Sequence, residues 1–236
     1  MMKYPKVLVG CPVSDHKLYC IERYLKAVNN LTYPNFDILL VDNSENEKLY
    51  QKLKSDGVSI KRIEYVPLAR ERLVKSRNLL VERVLEGNYD YFFSLEVDVI
   101  PPKDIIERLL SHDKKIVSGV YFKPIKFKDQ HGRKLKEEIM PIAYQKIQGN
   151  RVKRMTYADV RGDNLVQVHI VGLGCLMINK EVFEKKINFR YDAEKKIFDD
   201  TWFCLDSHEE GYGIHMDTSL KCIHLIKEMD WNKIKK

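Results

Sequence analysis

Glu96-Val97-Asp98 places two carboxylates one residue apart, after the apolar run 90–95 and before Pro101-Pro102. In extended backbone, positions i and i+2 point to the same side. Such a pair can hold one divalent cation, or divide a cation and a ribose hydroxyl between them. Oxygen donors suit Mg²⁺ or Mn²⁺, and either ion bridges a diphosphate. The same triplet is also an ordinary acidic strand end. Asp199-Asp200 begins a second candidate segment. Carboxylates there complement the positive end of a helix dipole, or one of them takes a proton from an acceptor hydroxyl. His224 ends the short run KCIHL, as a structural imidazole or as a ligand. Arg77-Asn78 combines a side chain suited to bidentate phosphate or carbonyl recognition with an amide, although a solvated helix face explains it too. Gly172-Leu173-Gly174 leaves room for a tight turn or for close approach of a ligand. No HExxH, GxGxxG or GxxxxGK[ST] occurs, which disfavours that zinc chemistry, the Rossmann dinucleotide fold and P-loop NTPases.

The elements that must position these residues alternate over the first hundred positions. Residues 6–11 (KVLVGC) read as a strand. Ser14 or Asp15 caps a helix running to about residue 29. Residues 36–41 (FDILLV) form a second strand ending in Asp42-Asn43-Ser44, and a polar helix follows over 45–55. A third strand covers 58–66. Leu73, Val74, Leu80, Val81, Val84 and Leu85 recur at helical spacing over 70–86, with Gly87 as a stop. The fourth strand is 90–95. Strand–helix alternation implies βαβ units and a mostly parallel sheet, which binds ligands at the carboxyl ends of its strands. Those ends carry Cys11-Pro12, Asp42-Asn43 and Glu96-Val97-Asp98. The second half is less regular. A strand over 114–122 leads into 123–136, which has six basic residues, one acid and no apolar periodicity, and reads as an exposed loop. Short strands follow near 139–147, 151–157, 165–170 and 175–178. A helix over 198–210 stops at Gly211, and strands over 213–216 and 221–224 precede a basic tail.

The chain has 236 residues, 44% of them hydrophobic, which suffices for one sizeable core. Lys and Arg exceed Asp and Glu by 41 − 34 = 7, and the pI is about 9.0, which favours anionic partners without choosing among them. The longest apolar stretch, 170–178, is too short to span a membrane and is interrupted by glycines. The N-terminus reads as no secretory signal. Cysteines at 11, 20, 175, 204 and 222 form no CxxC, which argues against a disulfide framework or a zinc site and for a reducing, cytoplasmic compartment.

Taken together, the pattern from about residue 6 to 225 resembles a glycosyltransferase of the GT-A fold, most similar to the large family 2 group. VLVGCPVSDHKLYCIERYLKAVNNLTYPNFDILLVDNSEN resembles the family's first strand, helix and strand. KSRNLLVERVLEGNYDYFFSLEVDVIPP resembles its Arg-Asn helix and DxD strand. GLGCLMINKEVFE resembles the acceptor-side glycine turn, and FDDTWFCLDSHEEGYGIHMD the helix that carries the base. The resemblance implies one α/β domain over 1–236: a nucleotide-binding half over about 1–100, an acceptor half over about 101–225 and a basic tail over 226–236. It implies a mostly parallel central sheet with a smaller mixed sheet on the acceptor side. It implies transfer of a sugar from a UDP-, GDP- or dTDP-linked donor to a hydroxyl of a glycan, lipid-linked or small-molecule acceptor, with inversion and with Mn²⁺ or Mg²⁺.

Residue by residue, the resemblance implies that Cys11 and Pro12 line the nucleotide pocket and that Asp42 meets the base. Arg77 approaches the nucleotide, Glu96 contacts ribose or metal, and Val13, Asn43, Asn78, Val97 and Gly174 belong to the same nucleotide-sugar site. Asp98 and His224 hold the metal. Asp200 is the general base, with Asp199 beside it. Glu96 departs from the first Asp usual in the motif. The basic stretch 123–136 reads as a lid, an anionic-acceptor surface or a solvated loop. The tail, with Trp231 and Ile234, offers a peripheral contact to an anionic membrane. Three alternatives stand beside this reading. A sugar-1-phosphate nucleotidyltransferase would open with a glycine-rich loop that CPVSDHK lacks. A nucleic-acid-binding module fits the charge, but no recognised motif supports it. A GT-A domain that binds nucleotide sugar without turnover would not need Asp98, Asp200 and His224 together.

Overall fold

The computed structural model describes residues 4–149 and 151–226. The expected membrane contact through residues 227–236 lies outside them. Strand β1 (Val7–Val13) is followed by one 3-10 turn (Asp15–Lys17) and helix α1 (Ile21–Asn29). The continuous helix expected from Ser14 or Asp15 onward is therefore broken. Ser14 makes no capping bond, and the Cys20 N–H returns to the Lys17 carbonyl at 3.1 Å, closing the first turn before α1 begins. Strand β2 (Phe36–Asp42), helix α2 (Lys48–Ser55), strand β3 (Ile60–Arg62), helix α3 (Ala69–Glu86) and strand β4 (Tyr91–Leu95) continue the alternation.

After β4 come β5 (Val99–Ile100), helix α4 (Ile105–Ser111), β6 (Ile116–Val120), β7 (Phe122–Lys128) and β8 (Lys134–Pro141). Then follow β9 (Ala143–Lys146), β10 (Val152–Arg154), β11 (Leu165–Val168), β12 (Ile170–Val171), β13 (Cys175–Asn179) and helix α5 (Lys180–Glu184). Helix α6 (Asp199–Glu209), β14 (Ile214–Lys221) and β15 (Ile223–His224) complete the described elements. The eight-stranded sheet has the order β11-β14-β6-β13-β4-β1-β2-β3. Strands β3, β2, β1, β4, β6 and β14 run the same way, while β13 and β11 are reversed. The sheet is thus mostly parallel, and it takes strands from both halves of the chain. The smaller acceptor-side sheet is distributed over three antiparallel pieces: β10-β9-β12, β15-β5 and β7-β8.

Alternation along the strands divides the core between the two faces. Val7, Val9 and Cys11 point to one face, where they meet Tyr24 and Val28 of α1, Leu49 and Leu53 of α2, and Ile105 and Leu109 of α4. Leu8 and Val41 point to the other, with Leu80 and Val84 of α3, Phe183 of α5 and Phe203 of α6. The parallel strands are covered on both faces, as such strands must be.

Two expectations are corrected in the second half. Residues 123–136 are not a loop but most of a hairpin, β7 against β8. Asp129 shapes its turn by accepting the N–H groups of His131 and Arg133 (2.8 and 2.9 Å), and Gly132 takes φ +80°. Leu135 stays 66% exposed and Lys126 faces Glu137 across the pair, so neither face carries the apolar stripe that announces a strand. The two expected strands over 213–224 are one long strand, β14, which shifts register between Met216 and Lys221, and the short β15. No helix among the described residues is long and apolar enough to cross a membrane.

Candidate active site

The carboxyl ends of β1, β2 and β4 open on a cleft of about 220 Å³ lined by Pro12, Val13, Ser14, Lys17, Asn43, Leu73, Arg77, Glu96, Val97 and Asp98. Seven of these are residues expected at the site; Ser14, Lys17 and Leu73 are not. Lys17 stands in the loop after β1, at the end of the sheet where ligands bind. Strand position was therefore the signal that could have found it.

Asp98 is 4% exposed. Strand β15 brings His224 to it by pairing antiparallel with β5, His224 opposite Val99, while the Leu225 N–H donates to the Asp98 carbonyl at 2.6 Å. The His224 Nδ1–H donates to the Phe122 carbonyl (2.8 Å), an acceptor only, so Nε2 is the ring nitrogen left facing Asp98. That Nε2 lies 3.5 Å from Asp98 Oδ2. In the neutral imidazole, that nitrogen and the carboxylate would offer a shared cation two donor atoms. The other carboxylate oxygen, Oδ1, is buried with no hydrogen-bond partner. Lys17 supplies an ammonium that ion-pairs with Asp98 Oδ2. Burial pushes the Asp98 carboxyl up, but the His224 hydrogen bond and the Lys17 charge outweigh it and lower the group to about 2. An ionised oxygen without a partner and an imidazole lone pair form a donor set that fits a divalent ion. Among the described residues no third His, Cys, Asp or Glu joins them, so the remaining ligands would be water or substrate phosphate.

Glu96 is turned elsewhere. Its Oε1 accepts from Arg77 Nη2 (2.6 Å), and Arg77 Nε donates to Asp199 Oδ2 (2.7 Å) while Nη1 donates to Ser94 Oγ (3.1 Å). Arg77 is 2% exposed, so its charge is committed to these partners although its side chain borders the cleft. Asp199 is 5% exposed and held by Arg77. Asp200, half-buried in the first turn of α6, has Oδ1 bound by the Thr201 N–H (2.6 Å), and its Oδ2 has no partner among the described residues. Burial first, then the charge of Asp199, raises its carboxyl above the usual range.

Tyr121 lies where these groups meet. The charges of Glu96, Asp200 and Asp98 all reach its fully buried phenol, and its ring packs edge-on to His224 at 5.2 Å. The Gly174 N–H donates to Tyr121 Oη (2.9 Å), and a Cβ on Gly174 would lie 2.5 Å from the ring. The close approach that Gly174 permits is thus that of Tyr121, not of a ligand.

Three other expected residues face away from the cleft. Cys11 is wholly buried in the core beside Tyr24, and burial pushes its thiol up. Asp42 is fully covered: Oδ1 accepts from the Ser44 N–H and hydroxyl (3.0 and 2.6 Å), and Oδ2 lies 3.4 Å from Arg62. Its neighbour Asn43 lines the cleft instead. Asn78 clamps the Phe189 backbone at both ends of its amide, each bond 3.0 Å, and holds the segment that leads to α6. On the acceptor side, half-buried Lys123 of β7 feels the like charge of Arg154 and the opposite charge of Asp200; burial first, then Arg154, lowers it.

No protein with a curated description matches the sequence. Among solved structures, the fold is similar to GalNAc-T7 with UDP, GalNAc and Mn²⁺, at TM-score 0.68 and 13% identity. That match covers 96% of this chain and 45% of the other. It is also similar to a mannosyltransferase from Pyrobaculum calidifontis in complex with GDP-Man and Mn²⁺, at TM-score 0.61 and 13% identity, covering 99% of this chain and 60% of that one. The chain therefore spans about half the length of the structures it matches, and the likeness is one of fold, the GT-A fold. The model of glycosyl transferase family 2 matches residues 19–186, which include β2, α3, β4 with the Glu96–Asp98 triplet, and the glycine turn. The chain belongs to glycosyl transferase family 2.

Proposed function

We propose that this chain transfers a sugar, of hexosyl type, from a nucleoside-diphosphate sugar to an acceptor hydroxyl with inversion at the anomeric carbon. The observation that carries the reading is buried Asp98 at the carboxyl end of the parallel strands, lining the cleft with His224 Nε2 3.5 Å from its Oδ2. Asp98 and His224 would hold a divalent ion, which when bound offsets the charge that grows on a departing diphosphate. Pro12, Val13 and Asn43 border the donor cleft. Arg77 keeps Glu96 and Asp199 in place. Asp200 accepts the acceptor's proton while that oxygen bonds to the anomeric carbon and the carbon–diphosphate bond breaks, its electron pair leaving with the diphosphate. The raised carboxyl of Asp200 suits that role, because a base nearer neutrality takes a proton with more driving force.

Calorimetric titration with UDP, GDP, dTDP and CMP, each with and without Mn²⁺, tests the donor half. The expected result is metal-dependent binding of one nucleotide that is lost in Asp98→Ala. Folded protein that binds none of the four overturns the reading. Unchanged binding with abolished turnover in Asp200→Asn separates an enzyme from a domain that only binds nucleotide sugar.

A further inference from the structure

Asp98 has the features of a cation ligand, and a cation of the chain's own pairs with it. The Lys17 ammonium pairs with Asp98 Oδ2, on the side that His224 Nε2 also faces. Lys17 comes from the turn between β1 and α1, and its side chain, 36% exposed, lines the cleft with Ser14 and Asn43. The Glu96 charge reaches it as well. We infer that Lys17 is a tethered counter-cation that pairs with Asp98 and competes with a divalent ion for it.

This rests on the proposed metal site and adds a consequence. An ion arriving alone must displace an ammonium that then loses Asp98 as its counter-charge. An ion arriving with a diphosphate brings phosphate oxygens, which complete its own coordination and give the displaced ammonium a new counter-charge. Metal and donor then load together, and the ion alone binds weakly. The coupling is electrostatic, so it requires the charge of Lys17 and not its shape.

Binding of Mn²⁺ alone to the full chain, followed by the electron paramagnetic resonance signal of free Mn²⁺, tests this without any turnover. Lys17→Met keeps the stem and removes the charge, and should bind Mn²⁺ about tenfold more tightly than the parent. Lys17→Gln, a second neutral variant, should do the same. Lys17→Arg keeps the charge and should bind Mn²⁺ as the parent does. Equal affinity in Lys17→Met and parent, including binding too weak to detect in both, overturns the inference. So does tightening in Lys17→Arg equal to that in Lys17→Met. Asp98→Asn separates the two levels. Loss of Mn²⁺ binding there with no Lys17 effect leaves the metal site standing and removes only the competition. Unchanged Mn²⁺ binding in Asp98→Asn removes the site itself.

Discussion

Asp199 and Asp200 are neighbours in sequence in different surroundings, and their hydrogen bonds tell them apart. Asp199 gives its Oδ2 to Arg77 and is closed to solvent; Asp200 keeps one oxygen unbound at the start of α6. Asp200→Asn should lower kcat by about 10²- to 10⁴-fold, the range for a general base, with donor affinity unchanged. Steady-state kinetics beside calorimetry checks the split. The base acts only when ionised, and burial with the Asp199 charge raises its carboxyl. The acid limb of kcat/KM should therefore lie at higher pH than an ordinary aspartate gives. A limb at or below the ordinary value would show that Asp200 is not the titrating group. The placement of Asp98 at the cleft was legible because polar residues at strand ends stand where a parallel sheet binds ligands. The roles of Cys11, Asn78 and Gly174 were not. Position along a strand or helix does not say what packs against it, and Tyr24, Phe189 and Tyr121 decided those three.

Helix α4 shows how an element escapes sequence reading. Its seven residues span less than two full turns, too few for a helical period to stand out, yet Ile105, Ile106 and Leu109 bury against the sheet. Helix α5 is shorter still, and the β7–β8 hairpin buries only its base, at Phe122 and Met140, so most of its length carries no apolar alternation. Strands β1, β2 and β4 and the long α3 of the first half were legible because their period and length are sufficient, whereas the strand expected over 58–66 shortens to the three residues of β3. What anchors α4 is a polar junction with β14. Asp217 Oδ2 meets His112 Nε2 at 2.8 Å, and Asp217 Oδ1 accepts the Ser219 N–H at 2.8 Å, with Arg108 donating to Ser219 Oγ. Burial pushes the Asp217 carboxyl up, but its bonds to Ser219 and His112 prevail and lower it. A group lowered on folding stabilises the native state above the unfolded pKa, and that contribution fades as pH falls through the folded value. Asp217→Asn should cost about 1–3 kcal/mol at neutral pH, the range for a buried partner lost. The cost should shrink below pH about 4, where the parent loses the same stabilisation. Urea midpoints at pH 7 and near pH 3 check it; an equal cost at both would show that the charge of Asp217 is not what matters.

At the scale of the whole molecule, one side chain ties the first half of the chain to α6 in the second. Arg77 projects from α3, binds Glu96 and Ser94 at the end of β4, and reaches Asp199 on α6, which is 122 residues away in sequence. Its guanidinium also lies 5.7 Å from the centre of the Phe189 ring. Burial works against the charge, but Asp199 and Glu96 more than compensate, so Arg77 stays protonated. A lysine has neither the fork nor the reach to serve three acceptors. Removing one partner of a buried pair is costly because the other charge is left uncompensated. Arg77→Met should therefore destabilise the protein by about 3–5 kcal/mol, mostly through stranded Asp199. Adding Asp199→Asn removes the stranded charge. The double variant should then be more stable than the sum of the two single effects by about 0.5–3 kcal/mol. Thermal or urea unfolding of the four proteins closes the cycle. Strict additivity would mean that the pair contributes nothing across the halves, and that the placement of Asp200 depends on the apolar contacts of α6 alone. A coupling of the expected sign would mean that the residue bordering the donor cleft also holds the helix bearing the base, so that donor and acceptor sites are set by one buried charge.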